Sequence, residues 1–301
     1  VGRPATACDD CVRRHVRCAH GGAPAQPSAV PPPPAAKRFT TRPTHGRGIR
    51  HIVIPDAQQK DGVPNDYLRS TGEYIAYKRP DVIVCLGDFA DMESLSSYDR
   101  GKLDFEGRRY KKDIASARES MRLLVDPIKT EIEKSDWRPR MVLTLGNHEE
   151  RILRAVQEDA RLEGMLSIDD LGYAEFGWDV YPFLQPVIID GVAYAHYFTS
   201  GPMQRPITTA RALVTKKHMT CIAGHQQTLD VDMSQIRADG KHMIGIIAGS
   251  FYEHDEKYLG AQGNFYRRQI LVLNEVDDGD FDPMVVSLGY LKRNYPKRRK
   301  P

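Results

Sequence analysis

The run Asp81-Val82-Ile83-Val84-Cys85-Leu86 is almost continuously apolar and breaks at Gly87-Asp88. A strand of that composition needs cover on both faces, so it belongs inside a layered structure and not on a wetted sheet. Similar runs occur at 49–54, ended by Pro55, and at 141–145, ended by Gly146. A helical stretch at 64–78 and a long amphipathic region at 106–134 separate the three runs. In the second of these, Ile114, Ala117, Met121 and Leu124 recur at helical spacing. Asp126-Pro127 predicts a restart of that helix, with Asp as cap and Pro at the first position. A charged helix is expected from about Glu150. Further on, 187–189 and 192–196 flank Asp190-Gly191, a strong two-residue hairpin signal. More strands are expected at 220–223, 243–248, 269–273 and 284–287. Parallel βαβ units followed by hairpin-rich β predict an α/β sandwich of mixed sheets with helices outside.

The chain is 301 residues long, enough for one domain of α/β size with appendages, and 41% apolar residues can build its core. Residues 21–48 are rich in Gly, Ala and Pro, with Pro31 to Pro34 consecutive, and read as an extended linker. This gives a small element at 1–20, the linker at 21–48, a main domain at 49–291 and a basic tail at 292–301. No run of about 18 apolar residues occurs and no apolar signal region is visible near the start. The expected location is therefore cytoplasmic, with no membrane partner. Net charge is +3, but residues 51–291 hold 28 basic and 38 acidic residues, a net of −10. A negative body carries two positive ends, which suit an anionic partner such as nucleic acid or serve only as solvated tails.

The turns that end the strands carry the chemistry. The first ends in Asp56-Ala57-Gln58, the second in Gly87-Asp88-Phe89-Ala90-Asp91, and the third in Gly146-Asn147-His148-Glu149. Later strands end in His196 and in Gly224-His225-Gln226-Gln227. Ligands bind outside the carboxyl ends of strands in open α/β sheets, so these turns should converge. Each piece alone is an ordinary turn or a structural histidine. Five in this order point to a metal site.

This order resembles the calcineurin-like metallophosphoesterases, whose pattern is Asp-x-His, Gly-Asp-x-x-Asp, Gly-Asn-His-Asp/Glu, His, Gly-His-x-His. The resemblance covers about residues 49–275. Leu86–Asp91 with Ser94-Leu95-Ser96, and Gly-Asn-His-Glu-Glu-Arg at 146–151, are similar to an uncharacterised branch common in bacteriophage and prophage genomes. The resemblance implies a four-layer αββα sandwich of two mixed sheets and two divalent metal ions sharing one carboxylate. Asp88 would bridge both; Asp56, Gln58 and Gln227 would complete the first site, and Asn147, His196 and His225 the second. His148 would contact the substrate phosphate and protonate the leaving oxygen, with Asp91 supporting its loop. Two cations in such a site clamp the phosphoryl oxygens and activate a water.

The chain departs from the pattern at three positions. Gln58 and Gln227 stand where the family has histidines, which leaves the first site all-oxygen. That suits Mn²⁺, Mg²⁺ or Ca²⁺ better than Zn²⁺ or Fe and lets the first ion bind weakly or be absent. Tyr197 follows His196 where the family usually has glycine.

Two accessory features remain. Cys8, Cys11, His15, Cys18 and His20 fall within thirteen residues and read either as a structural zinc site or as a basic tail with thiols. Cys85 and Cys221, in apolar runs, read as small buried hydrophobes. The basic runs at 108–112 and 292–300 can contact phosphates without reading sequence, or can be solvated faces. The leading expectation is hydrolysis of phosphodiesters in nucleic acid or nucleotides. The alternatives are a phosphomonoesterase, or a nucleic-acid-binding module whose phosphoesterase site has lost turnover.

Overall fold

The computed structural model describes residues 36–42, 48–97, 101, 105–256 and 260–295. Among these, one six-stranded sheet has the order β1-β6-β7-β10-β12-β11 and a second has the order β14-β13-β2-β3-β4-β5. The first contains β1 (Lys37–Phe39), β6 (Val187–Ile189), β7 (Val192–Ala195), β10 (Cys221–Ala223), β11 (Leu229–Ile236) and β12 (His242–Ala248). The second contains β2 (His51–Ile54), β3 (Val82–Cys85), β4 (Arg140–Thr144), β5 (Asp179–Tyr181), β13 (Gln269–Asp277) and β14 (Asp280–Ser287). Thr199–Ser200 and Arg205–Pro206, β8 and β9, form a short separate ribbon.

Alternation along the central strands explains the layering. Val53, Val82, Val84 and Val142 point between the sheets and meet Val187, Ile189, Tyr194, Ile222 and Ile246 from the other side. Their neighbours Ile52, Ile54, Ile83, Cys85 and Leu143 point the other way, into a cluster with Leu68, Ile75, Met121 and Leu124. The helices Asp66–Lys78 and Tyr110–Lys134 supply that cover. Outside the first sheet, Leu213 of the helix Ala210–Lys217 packs with Ala193, Cys221 and Ile247. The result is the expected α/β/β/α sandwich, in which every central strand is covered on both faces.

β2, β3, β4 and β5 run parallel, as do β7, β10 and β12. The carboxyl ends of both parallel sets are the ends from which the candidate ligands emerge. One polar bridge crosses between the sheets: buried His51 on β2 contacts the Tyr194 hydroxyl through Nδ1 (2.7 Å) and Asp190 Oδ2 through Nε2 (3.0 Å).

The structure differs from the sequence reading in three places. The helix 110–134 does not restart at Asp126-Pro127; Pro127 lies inside one continuous helix. Its ring is accommodated because Gly72 faces it: a Cβ there would lie 2.2 Å from Leu124 O and 3.1 Å from Pro127 Cγ. Asp126 pairs with Arg122 (2.6 Å) and caps nothing. Residues 37–39, within the stretch read as linker, pair in parallel with β6. Lys292 and Arg293, read as the start of a tail, belong to the helix Leu288–Asn294, whose Leu288 and Leu291 are buried. A polar flank hid the apolar anchor in both cases. No helix among the described residues is long and apolar enough to cross a membrane.

Candidate metal centre

The loops after β2 and β3 continue the pairing of their strands into the site. Gln58 N donates to Asp88 O (2.8 Å) and Gln59 N donates to Phe89 O (2.7 Å). Asp88 (φ 45°), Gln58 (φ 41°) and His225 (φ 67°) all adopt left-handed backbone conformations, costly for residues with a Cβ. The loops approach too closely for side chains at their glycines. A Cβ on Gly146 would lie 2.1 Å from Asp88 Oδ1, and one on Gly224 would lie 2.4 Å from Asp56 Oδ1.

Glu149 holds the second loop from beneath. Its buried carboxylate accepts from the backbone N–H groups of Asp88 (2.9 Å), Phe89 (2.8 Å), Ala90 (3.0 Å) and Gly146 (2.9 Å). The Tyr173 hydroxyl donates to it as well (3.1 Å). Five donors around one carboxylate fix the orientation of the turn that carries Asp88.

The side chains above that turn form a cluster. Ligand atoms of Asp88, His196 and His225 all lie within 4.8 Å of one another. His196 Nδ1 faces the Leu86 carbonyl (2.9 Å), which holds the ring and directs Nε2 inward. There Nε2 meets Asn147 Oδ1 at 2.9 Å and Asp88 Oδ2 at 3.2 Å. Asp56 accepts from the His225 backbone N–H through both oxygens (3.1 Å each). The Gln227 Oε1 is enclosed and has no hydrogen-bond partner among the described residues. Gln58 is buried in the same loop system. The Tyr197 ring packs on that of His225 with centroids 4.8 Å apart, so Tyr197 braces a neighbouring imidazole.

These donors fit a divalent cation. A buried acceptor without a donor is costly, and a carboxylate, a carboxamide oxygen and an imidazole nitrogen facing one point repel unless something positive stands among them. Without a metal, protons fill that role. Burial by itself lowers His196, but the charge of Asp88 and their hydrogen bond raise it to about 9. Burial would lift Asp88, yet the charges of His148 and His196 hold it well below the ordinary carboxylate range. Burial, reinforced by Asp88, pushes Asp56 up to about 7. Burial and repulsion from His196 drive His225 down to about 4, leaving its lone pair free to bind.

His148 sits at the rim of the cluster. Its backbone N–H donates to Asp88 Oδ1 (2.8 Å), and its Nδ1 lies 2.8 Å from Asp91 Oδ1. Its Nε2 faces Arg151 Nη2 at 3.1 Å. Burial lowers the basicity of this ring, but Asp88 and Asp91 outweigh it and raise the pKa above its ordinary value. Asp91 is itself held by Lys60 Nζ (3.0 Å), which also contacts Glu256 Oε1 (2.8 Å), and Glu256 meets His254 Nε2 (2.7 Å). A chain of alternating charge therefore runs from His148 through Asp91 and Lys60 to Glu256.

The structure brings together Asp56, Asp88, Asn147, His196 and His225, and sets His148 and Asp91 beside them; Gln227 lies on the turn of His225, its Nε2 donating to the His225 carbonyl (3.4 Å). Gln58 shares the loop, joined to Asp88 through its backbone. Lys60, Glu256, His254 and the bracing role of Glu149 were not foreseen. Lys60 stands two residues beyond Gln58, but only folding brings Glu256 to it. The cysteine and histidine residues at positions 8–20 and the basic residues 296–301 lie outside the described residues. Of the run 108–112, Arg108 pairs with Glu93 (3.5 Å), Lys112 with Asp61 (2.9 Å) and Tyr110 with Asp170 (2.6 Å); Arg108 precedes the helix and is largely covered, whereas Lys112 is exposed.

No family model matches the sequence, and no curated protein matches it. Among solved structures, the chain is similar to Yfce, a phosphoesterase from E. coli, at 13% identity and a TM-score of 0.34, over 80% of this chain and 100% of that one. It is also similar to GAP50, described as the anchor in the inner membrane complex of Plasmodium, at 11% identity and a TM-score of 0.28, over 80% of this chain and 85% of that one.

Proposed function

We propose that the chain is a metal-dependent phosphoesterase that cleaves phosphodiesters, with nucleic acid or nucleotides as the substrate class. The observation that carries this reading is the meeting of Asp88, His196 and His225, from strand ends of both sheets, within 4.8 Å. The unpartnered Gln227 Oε1 supports it. In this reading Asp88 would serve both of two cations. Asp56, Gln58 and Gln227 hold the first, an oxygen-rich site suited to Mn²⁺ or Mg²⁺. Asn147, His196 and His225 hold the second. When bound, such cations supply Lewis-acid charge to the phosphoryl oxygens and lower the pKa of a coordinated water.

The chain's own residues do the rest. His148 stands at the rim of the cluster, its ring oriented by Asp91 through Nδ1, where it can pass a proton to a leaving alkoxide. Arg151, beside His148 Nε2, offers a second cation to the phosphate.

The test is hydrolysis of a chromogenic phosphodiester and the matching monoester with Mn²⁺, Mg²⁺, Zn²⁺ or chelator. Asp88→Ala and His148→Ala are run beside the wild type. Metal-dependent diester cleavage lost in both variants is the expected result. Stronger cleavage of the monoester would reassign the substrate class. Equal, metal-blind background in all three proteins would sink the enzyme reading in favour of a binding module, which the two glutamines at the first site would then explain.

A further inference from the structure

We propose that a basic cavity at the opposite end of the first sheet binds the sugar-phosphate backbone of a nucleic acid, at a site separate from the metal centre. The cavity has a volume of about 680 Å³, and Arg38, Lys217, His218, Arg237, Lys241 and His242 all line it. Asp278 is the one acid among its lining residues. Its place in the fold is set by strand direction. Gly191 precedes β7, Thr220 precedes β10 and His242 opens β12, and all three border the cavity. His196 and His225 follow the other ends of β7 and β10. At about 3.3 Å per residue, roughly 16 Å of strand separates Gly191 from His196.

The charge of the cavity stands against its background, because residues 51–291 carry a net charge of −10. Lys217 and His218 come from the end of the helix Ala210–Lys217, and Arg38 from β1. Arg237 and Lys241 come from the turn between β11 and β12. A lysine at a helix carboxyl end has an ordinary explanation in the helix dipole. Arg38 lies on the edge strand β1, where a charge also guards a sheet edge, and the side chains of Arg38, Lys217, His218 and His242 make no hydrogen bond or ion pair among the described residues. Lys241 pairs with Asp278, and Arg237 pairs with Asp239 (2.8 Å). Both pairs are well exposed, so phosphate oxygens can replace the carboxylates at little cost.

The apolar part of the lining is Met219, Ile236 and Met243, with no Phe, Tyr or Trp among the lining residues. The lining is dominated by basic side chains around an opening on the scale of a whole ligand pocket. That chemistry suits a repeating phosphate backbone held without reading bases.

The experiment is fluorescence anisotropy of the full chain with a short fluorescein-labelled single-stranded oligonucleotide, in chelator, across a salt series. Asp88→Ala is measured beside the wild type so that the metal centre is silent. Lys217→Glu with Lys241→Glu is expected to weaken binding on the order of tenfold and to flatten the salt slope by about one per lost contact. Asp278→Asn removes the opposing charge and keeps a residue tolerant of the left-handed backbone at φ 43°. It is expected to tighten binding about twofold, which no folding defect would mimic. Wild-type affinity in both variants would overturn the proposal and assign any binding to the basic chain ends. Displacement of the oligonucleotide by inorganic tripolyphosphate at matched phosphate concentration would overturn the polynucleotide as ligand. Cleavage of the chromogenic diester is expected to be unchanged in both variants, so the two functional readings fail independently.

Discussion

The carboxylate of Glu149 accepts the backbone N–H of Asp88 at 2.9 Å, and through that contact the turn after β4 sets the position of the aspartate that ends β3. Glu149 thereby helps to hold Asp88 at φ 45°, a left-handed conformation that aspartate adopts more readily than most residues but that still costs energy. Glu149→Ala removes one buried acceptor and leaves the N–H groups of Asp88, Phe89, Ala90 and Gly146 without it. We expect a loss of about 3–5 kcal/mol of stability, as for breaking a buried charged network, measured by denaturant unfolding. A loss under about 1 kcal/mol would mean that the turn holds itself.

Gln227 offers a sharper test of the cation site, because its Oε1 is enclosed with no partner among the described residues. Gln227→Leu should stabilise the chelator-treated protein by about 1 kcal/mol, by removing an unsatisfied acceptor. The same change should shrink the rise in Tm that Mn²⁺ gives the wild type. Gln58→His with Gln227→His should raise affinity for Zn²⁺, seen by titration calorimetry. If neither change alters metal binding, the glutamines face no ion.

Lys60 tests the chain of charge behind His148. Its ammonium lies between Asp91 (3.0 Å) and Glu256 (2.8 Å), and Asp91 in turn holds the His148 ring. Lys60→Met should lower kcat for the diester about tenfold, at the low end of what a misplaced proton donor costs, with metal affinity unchanged. Lys60→Arg should recover part of it. Equal kcat in Lys60→Met and wild type would reduce Lys60 to a structural ion pair.

The inter-sheet bridge gives a pH prediction remote from the metal site. Burial would raise Asp190, but hydrogen bonds from His51 and Thr41 hold its pKa below the usual 3.8. A depressed carboxylate contributes stability that is complete above its unfolded pKa and is lost as pH falls through the lower folded value. Asp190→Asn should therefore cost about 1–3 kcal/mol at neutral pH and flatten the acid limb below about pH 4. Urea unfolding across pH would show it; parallel curves for the two proteins would remove Asp190 from the acid transition.

The sequence alone determined the strands at 51–54, 82–85 and 140–144, because each must be apolar on both faces and each is cut by a turn. It also determined the Asp190-Gly191 hairpin, where a two-residue loop needs left-handed backbone at both positions. The candidate ligands were legible for the same reason: a polar residue at the end of a buried strand interrupts a pattern that burial otherwise enforces. The continuous helix through Pro127 was not legible, since its tolerance depends on Gly72 in another helix. Nor was the edge strand at 37–39, whose pairing is decided by β6. Lys60 and Glu256 are separated by almost the whole domain in sequence, and no local pattern joins them. Glu149 was visible as a residue but not as a brace, because its partners are backbone N–H groups, which every residue but proline carries. Local periodicity encodes which side chains are buried; which buried charges share a partner is decided only when two sheets close on each other and desolvation forces every charge to find one.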